Sequence, residues 1–203
     1  YGCAVQRAPK YQTNGRQRMN AVLKEQISNL INGRRVVIAI DGKCASGKST
    51  LADEIQSVFG GTVIKADSFF LSFSMRTDER MNEPGGNFHR ERFESEVIGG
   101  IKSESAFSYG VFDCSVGEVT RSVAVDENRL IIIEGSYCMH PLINAEYDLK
   151  IFCTTDAKTQ LSRIVKRNGE EMAEVFKAKW IPFENRYFEF YNIKNNCDVI
   201  IVT

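Results

Sequence analysis

The sequence is poor in the residues and patterns that mark several classes of protein. Its 203 residues include one tryptophan, four prolines and two histidines, and no apolar run approaches the roughly 20 residues that cross a bilayer. The 26 Lys and Arg residues are balanced by 26 Asp and Glu residues, so the chain lacks the one-sided charge of a nucleic-acid-binding protein. We therefore expect no nucleic-acid partner and no membrane partner.

The six cysteines lack the spacing of a disulfide framework or of a zinc site. No C-x-x-C pair occurs, and the only histidines are His89 and His140. Cys44, Cys153 and Cys197 lie in or beside apolar segments, where a free cysteine packs as a small apolar residue. This distribution predicts a reducing, cytoplasmic location.

The order of the apolar segments predicts an α/β fold. Buried strands are predicted at residues 34–41, 62–67, 130–135, 147–154 and 197–202, and helices at residues 20–32, 48–59, 90–102, 156–168 and 170–190. Buried strands separated by helices form parallel sheets that are covered on both faces. We therefore expect a doubly wound, mostly parallel sheet of five strands.

The domain organisation follows from the same pattern. Residues 1–18 show no signal-peptide layout and are treated as an N-terminal extension of uncertain order. Residues 19–203 are predicted to form one domain. Within it, residues 68–125 form an insertion that contains an irregular β-hairpin around Gly117.

The segment from Gly42 to Ser49 matches the P-loop pattern G-x-x-x-x-G-K-[ST] and lies between a predicted strand and a predicted helix. In a P-loop, backbone N–H groups surround phosphate oxygens, the lysine reaches the terminal phosphates and the Ser or Thr ligates Mg²⁺. The alternative is a glycine-rich turn that only caps a helix. The predicted ATP-binding residues of this loop are Gly42, Lys43, Cys44, Ala45, Ser46, Gly47, Lys48, Ser49 and Thr50. Beside Lys48, the Cys44 thiol is a candidate for a lowered pKa.

Three reaction classes use a P-loop with a nucleoside triphosphate. A GTPase carries a guanine-reading N-K-x-D tetrapeptide, which does not occur in this sequence. A motor ATPase normally has two adjacent acids after a second strand, whereas Glu134 is followed by Gly135. A kinase needs a carboxylate that takes the proton of the acceptor hydroxyl, and Asp67 follows a strand directly, at the sheet edge where ligands gather. We predict Asp67 and Lys48 as catalytic residues; a turn-capping role is the alternative for Asp67.

Further residues are expected at the same edge of the sheet. Glu134 ends the apolar run LIII and is positioned to hold Mg²⁺ together with Ser49. Arg163 and Arg167 lie one helical turn apart and are predicted to contact the triphosphate. They belong to a predicted lid over residues 156–180.

Several segments together resemble the uridine kinase and phosphoribulokinase group of P-loop kinases. They are IAIDGKCASGKSTLADEI, IKADSFF, LIIIEGSY, TTDAKTQLSRIVKR and CDVIIV, and they occur in the family order between about Arg34 and Val202. The resemblance implies a P-loop NTP hydrolase-type fold. It also implies a catalytic base at Asp67, Mg²⁺ contacts at Ser49 and Glu134, and lid contacts that include Arg163.

The match is weaker where uridine kinases bind the nucleoside. Those enzymes carry a ribose-binding Asp in the stretch N-[FY]-D-H-P-D-A-F-D, whereas residues 87–94 read NFHRERFE. Their base-reading Tyr-Asp-Phe stretch is matched only in part at residues 112–114, and Gly117 stands where a His is expected. The predicted substrate-binding residues are His89, Tyr109, Phe112 and Asp113.

These features predict an ATP- and Mg²⁺-dependent kinase that phosphorylates a hydroxyl group of a small molecule. By resemblance, the acceptor is a nucleoside such as uridine. A kinase for a sugar phosphate or a pantothenate-like acceptor is one alternative. A nucleotide-binding regulator that has lost phosphoryl transfer is another. A homo-oligomer is possible.

Overall fold

The computed structural model describes residues 19–203 and the backbone of residues 12–14. The strands are β1 Gln12–Asn14, β2 Val36–Gly42, β3 Thr62–Lys65, β4 Phe107–Asp113, β5 Glu118–Val125, β6 Leu130–Glu134, β7 Leu149–Thr154 and β8 Val199–Val202. The α-helices are α1 Ala21–Leu30, α2 Lys48–Phe59, α3 Asp78–Asn82, α4 Arg90–Phe93, α5 Gly99–Lys102, α6 Ala157–Asn168, α7 Glu170–Val175 and α8 Ile181–Phe190. The remaining residues 1–11 and 15–18 of the predicted extension lie outside the described part of the chain.

The main sheet is parallel and has the strand order β1-β8-β7-β2-β6-β3. The five predicted strands are all present, which confirms the predicted fold class. A sixth strand, β1, lies within the predicted N-terminal extension and pairs with β8 at the sheet edge. This strand was not predicted from the apolar pattern of the sequence.

The central strands are covered on both faces, as their continuous apolar runs require. Every residue of β2 and of β6 is buried. On one face, Ile38 and Ile40 pack with Leu51 of α2 and Leu23 of α1. On the other face, a second core cluster forms around the aromatic side chains of the insertion and of α8.

The predicted insertion is anchored to the sheet by aromatic packing. The β4–β5 hairpin turns at Gly117, as predicted, with a left-handed φ of 81°. The ring of Phe69, which follows β3, lies 5.1 Å from that of Phe93 and 5.5 Å from that of Tyr109. These contacts fix the segment after β3 against the insertion.

Helices α7 and α8 are joined by a π-helical segment, Phe176–Trp180, so that residues 170–190 form one continuous helical stretch. Helix α6 precedes it and begins at Asp156, whose carboxylate accepts a hydrogen bond from the Thr159 N–H at 2.9 Å. The predicted lid therefore runs directly into α8, whose inner face is part of the core.

The sequence shows no pattern of a membrane-spanning segment or of a disulfide framework, and both features can be compared with the described residues. None of the helices in residues 19–203 is both long and apolar enough to cross a membrane. Within this part of the chain Cys44, Cys114 and Cys138 carry free thiols, and Cys153 and Cys197 are buried in the core.

Candidate functional site

The carboxyl ends of β2, β3 and β6 meet at one edge of the sheet, beside a cavity of about 870 Å³. Strand β2 leads into the P-loop, β3 into Asp67, and β6 ends at Glu134. The structure thus brings the predicted loop, base and metal ligand to one cavity. The predicted site residues that line it are Cys44, Ala45, Gly47, Lys48, Ser49, Thr50, Asp67, Glu134, Arg163 and Arg167. Gly42, Lys43 and Ser46 do not line it.

The P-loop has the backbone of an anion-binding turn. Gly47 precedes α2 with a left-handed φ of 89°, and no side chain caps the helix. The first intrahelical bond runs from the Leu51 N–H to the Gly47 carbonyl, so the preceding N–H groups have no acceptor within the helix. Such groups, together with the helix dipole, bind phosphate.

Gly42 has a packing role rather than a lining role. Its φ is 135°, and a Cβ atom at this position would lie 2.0 Å from the Cys153 carbonyl oxygen of the neighbouring strand. The absence of a side chain therefore lets β2 and β7 remain paired up to the start of the loop.

Lys48 is held inside the loop by its own backbone. Its Nζ donates to the carbonyl oxygens of Gly42 at 2.7 Å and of Lys43 at 2.9 Å. Burial lowers the pKa of Lys48, but the carboxylates around it, of which Glu184 has the largest effect, together raise the pKa above its ordinary value. Lys48 is therefore a fully charged group at the floor of the cavity.

Glu184 of α8 is the main acidic contact of the loop, and the sequence analysis did not identify it. It is 6% exposed and lines the cavity. One carboxylate oxygen accepts from the Cys44 backbone N–H at 2.8 Å, and the other accepts from the Ser136 hydroxyl at 2.6 Å. Its negative charge thus lies directly on the P-loop.

The Cys44 thiol does not have the lowered pKa that its neighbour Lys48 suggested. Burial and the adjacent Glu184 carboxylate raise the pKa of Cys44 to about 12. The thiol is therefore protonated at neutral pH and is a poor nucleophile.

Ser49 and Glu134 are in contact, as expected for a shared metal site. The Ser49 hydroxyl donates to the Glu134 carboxylate at 3.1 Å. Burial, followed by the charge of Asp67, raises the pKa of Glu134. Carboxylate and hydroxyl oxygens suit Mg²⁺, which commonly takes few protein ligands and completes its shell with water and phosphate oxygens. No cluster of three or more His, Cys, Asp or Glu side chains that could hold a metal is found in the described residues.

Asp67 lies at the start of the short 3₁₀-helix that follows β3 and is solvent-exposed within the cavity. Its charge acts on both Lys48 and Glu134. It is thus close to Lys48 and to the predicted metal ligand Glu134, and accessible to a molecule in the cavity.

Asp41, at the end of β2, is a second acidic residue that the sequence analysis did not assign. It is fully buried and accepts from the Gly42 N–H at 2.7 Å and from the Tyr187 hydroxyl at 2.9 Å. Burial raises the pKa of Asp41 to about 6, although its hydrogen bonds and Lys48 act in the opposite direction. Through these hydrogen bonds Asp41 links the start of the P-loop to Tyr187 of α8.

The predicted lid contributes two arginines and aromatic side chains to the cavity. Arg163 donates from Nη1 to the Ala45 carbonyl at 3.1 Å, so it is attached to the P-loop. Arg167 donates from Nε to the Asn168 side chain at 2.7 Å, and its guanidinium lies 5.8 Å from the Phe176 ring centre. Trp180, the tryptophan of the chain, lines the cavity beside them.

The four predicted substrate-binding residues do not line the cavity. His89 accepts at Nδ1 from the Arg92 N–H at the start of α4, and Tyr109 is buried against Phe69. The Phe112 ring packs on two other phenylalanines, and Asp113 accepts from the Ser115 N–H at 2.8 Å in the hairpin turn. Their contacts are structural, and this geometry gives no support to the prediction that they bind substrate.

The insertion instead presents other side chains to the cavity. They are Phe70, Phe73, Arg76, Asn87 and Cys114. None of them follows from the P-loop pattern. The only sequence signal for Arg76 is its residue type, because a guanidinium suits the binding of carboxylate and phosphate groups.

The chain is similar in sequence to proteins that are named uridine kinases. The uridine kinase of Clostridium perfringens is 26% identical over 157 residues, which are 71% of this chain and 74% of that protein. Uridine kinase-like protein 4 of Arabidopsis thaliana is 28% identical over 198 residues, 89% of this chain and 42% of that protein. No family model matches the chain.

Solved structures show the same fold. A possible uridine kinase from Bacillus stearothermophilus aligns with a TM-score of 0.59 and 19% identity, over 89% of this chain and 99% of that one. A candidate fructose transport system kinase from Silicibacter sp. TM1040 aligns with a TM-score of 0.65 and 18% identity, over 89% and 97% of the two chains.

Proposed function

We propose that this chain is an ATP- and Mg²⁺-dependent kinase of the uridine kinase and phosphoribulokinase group, because it is similar in sequence to uridine kinases and shares the fold of solved P-loop kinases. It transfers the γ-phosphoryl group of ATP to a hydroxyl group of a small molecule. The observation that carries the proposal is the single cavity lined by Lys48, Ser49, Asp67 and Glu134. A nucleoside such as uridine is the acceptor that the names of the relatives suggest, and a sugar phosphate or a pantothenate-like acid is the alternative.

The proposed reaction assigns a role to each of these side chains. Asp67 takes the proton of the acceptor hydroxyl, whose oxygen forms a bond to the γ-phosphorus. The bond between the γ-phosphorus and the bridging oxygen breaks, and its electron pair leaves with ADP. The P-loop N–H groups and Lys48 bind the phosphates, and Arg163 and Arg167 neutralise charge from the lid.

Ser49 and Glu134 fit a magnesium ion, because they place a hydroxyl and a carboxylate oxygen 3.1 Å apart beside the P-loop. When bound, Mg²⁺ neutralises phosphate charge. In this scheme residues 156–180 act as the lid and residues 68–125 as the acceptor-binding insertion. We also propose a cytoplasmic location, where reducing conditions suit the free thiols.

The proposal is tested with the D67N variant. The side chain keeps its size but cannot take a proton, so we expect phosphoryl transfer from labelled ATP into a metabolite extract to fall at least about 100-fold. ATP affinity, measured by calorimetry, should change by no more than a few-fold. D126N is the matched control, since Asp126 is an exposed acid in the loop after β5.

Two outcomes contradict the proposal. Near wild-type transfer by D67N would show that Asp67 is not the base. Tight ATP binding by the wild-type protein, with no labelled product from any acceptor in the extract, would instead favour the nucleotide-binding regulator.

A further inference from the structure

Arg76 belongs to the insertion and lines the cavity, and its side chain is held in place by several contacts. It follows the short 3₁₀-helix Phe73–Met75 and donates from Nε to the Leu71 carbonyl at 3.0 Å. Its guanidinium carbon lies 4.6 Å from the ring centre of Phe73 and 5.8 Å from that of Phe112. Stacking on aromatic rings restricts the guanidinium plane and leaves its edge available for hydrogen bonding.

The charge of Arg76 has no counterpart in residues 19–203. Within these residues no carboxylate lies within ion-pair distance of the guanidinium, and the only hydrogen bond that the Arg76 side chain donates is the one from Nε. Three of the other four arginines of the insertion are paired, Arg80 with Glu91, Arg90 with Glu83, and Arg92 with Glu96. The fourth, Arg121, is exposed to solvent on β5 and, unlike Arg76, does not line the cavity. Burial lowers the pKa of Arg76. A partly buried guanidinium without an anion is unfavourable, so the two Nη groups are suited to bind an anionic ligand.

A second polar atom of the insertion, Oδ1 of Asn87, also lacks a partner within the described part of the chain, although the Asn87 side chain is hydrogen-bonded to Tyr137. Asn87 is 3% exposed and lines the same cavity, and its Oδ1 accepts no hydrogen bond within the described residues. Buried amide oxygens nearly always accept a hydrogen bond. Asn87 is therefore suited to accept from a hydroxyl or N–H group of a bound molecule.

Arg76 and the proposed base Asp67 lie around one thiol. Burial and the charge of Asp67 raise the pKa of Cys114, whereas the charge of Arg76 lowers it. Both charges are thus close to Cys114, and all three residues line the cavity. A molecule with its hydroxyl group at Asp67 can reach Arg76 with another part.

From this arrangement we propose that the phosphate acceptor carries an anionic group, a carboxylate or a phosphate, which Arg76 binds while Asp67 contacts the hydroxyl group and Asn87 accepts a hydrogen bond. The inference rests on the proposed kinase function and narrows its substrate class. An uncharged nucleoside leaves the Arg76 charge without a partner, whereas an acidic acceptor satisfies it.

The first test identifies the acceptor without assuming it. The wild-type protein, labelled ATP and a metabolite extract are incubated together, and the labelled products are separated and identified by mass spectrometry. We expect a product whose unphosphorylated form already carries a carboxylate or a phosphate. A product formed from an uncharged acceptor, uridine included, overturns the inference but leaves the kinase function intact. No labelled product overturns both.

The second test uses matched acceptor pairs that differ in charge. Ribose is compared with ribose 5-phosphate, and pantothenyl alcohol with pantothenate, so that the two pairs distinguish phosphate from carboxylate. The acidic acceptor identified in the extract is paired with its neutral amide, alcohol or dephosphorylated form in the same way. We expect kcat/KM to be at least tenfold higher for the charged member of the preferred pair.

The R76Q variant should remove this preference. The expected result is a loss of at least tenfold in kcat/KM for the charged acceptor, carried mainly by KM, with less than a threefold change for its neutral form. R121Q is the matched control, because Arg121 is an exposed arginine on β5 of the same insertion. An equal loss for both members of the pair would show that Arg76 is only structural and would overturn the inference.

A binding measurement tests the contact between Arg76 and the anion independently of catalytic turnover. With the P-loop saturated by ADP, calorimetry should detect binding of the charged acceptor to the wild-type protein and to R121Q, and at least tenfold weaker binding to R76Q. Equal affinities of wild type and R76Q would contradict a contact between Arg76 and the anion. Thermal unfolding of each variant verifies that it is folded.

Discussion

The Glu184 carboxylate accepts a hydrogen bond from the Cys44 backbone N–H, 2.8 Å away, inside the loop that is assigned to phosphate. The two residues are 140 positions apart in the chain. An oxygen anion already occupies part of the loop that an incoming phosphate would approach. Nucleotide binding is therefore expected to compete with, or to be opposed by, the charge of Glu184.

The E184Q variant tests this competition. Glutamine keeps an oxygen that accepts from Cys44 but removes the negative charge, so repulsion between the side chain and phosphate is lost. We expect the Kd for ATP, measured by calorimetry at low salt, to decrease about tenfold, which is about 1.4 kcal/mol. An unchanged or increased Kd would show that the carboxylate supports the loop in a form that favours ATP.

The same variant has a second readout that does not involve nucleotide. Because Glu184 contributes to the raised pKa of Cys44, its neutralisation should lower that pKa and increase the alkylation rate of the thiol at pH 8 to 9. The rate is measured by mass spectrometry of the peptide that contains Cys44. The exposed thiol of Cys114 serves as the internal reference.

The contact between Ser49 and Glu134 predicts that variants of either residue need more Mg²⁺ for activity but bind ATP normally. In E134Q and in S49A, the Mg²⁺ concentration for half-maximal transfer should rise at least about tenfold. Affinity for ATP measured without metal should be nearly unchanged. S57A, at an exposed position of α2, is the control. A loss of rate that is the same at all Mg²⁺ concentrations would contradict the metal role.

Asp41 predicts a pH dependence of stability. In the unfolded chain this carboxyl has lost its proton by pH 5, since its ordinary pKa is 3.8, whereas in the folded protein a pKa of about 6 retains the proton. Unfolding therefore releases a proton in this window, and raising the pH favours unfolding. As the pH rises from 4 to 6, we expect the titration of Asp41 to reduce the free energy of unfolding by roughly 2 to 3 kcal/mol.

Carbon-13 NMR of the Asp41 carboxyl group measures this pKa directly. Urea unfolding at several pH values then compares wild type with D41N, in which the titration is absent. A carboxyl that titrates near pH 4, or identical pH profiles for the two proteins, would contradict the expectation.

Gly42 predicts a large loss of stability on substitution. In G42A the new methyl group meets the Cys153 carbonyl at 2.0 Å, so the pairing of β2 with β7 has to shift. We expect a loss of at least about 3 kcal/mol in the free energy of unfolding. G33A is the matched control, because Gly33 also has a left-handed φ but a Cβ atom there would have no atom within 4 Å; about 1 kcal/mol is expected for it. Similar losses in the two variants would attribute the effect to backbone conformation alone.

The part of the site whose residues are contiguous, the P-loop, could be predicted from the sequence. A P-loop is one strand, one turn and one helix start, so its pattern and its geometry coincide in residues 42–49. Asp67 and Glu134 follow from a general property of parallel sheets, because residues after strand ends meet at one edge. These predictions needed no knowledge of distant contacts.

Glu184 and Asp41 could not be identified in this way. Glu184 lies on a helix near the end of the chain, and its contact with the loop arises from the packing of α8 against the sheet. Asp41 belongs to a strand that reads as apolar, and only the Tyr187 hydroxyl and the surrounding N–H groups explain its burial.

The insertion shows a further limit of prediction from the sequence. Alternation along β4 would place residues 109, 111 and 113 on one face, but the pairing shifts between Val111 and Phe112. Beyond this irregularity Phe112 is buried, and Asp113 is the last residue of β4, next to the hairpin turn. A bulge depends on the partner strand, so the sequence of β4 alone does not specify which of its side chains are buried.

Trp180 gives the protein an optical property. It is the single tryptophan of the chain, it lines the cavity, and it precedes Glu184 by one helical turn on the same helical stretch. Lys179 lies 4.9 Å from its indole ring, and Phe183 contacts its edge. Its intrinsic fluorescence therefore originates from one known place beside the P-loop, and a titration with nucleotide or acceptor can be followed in the unlabelled wild-type protein.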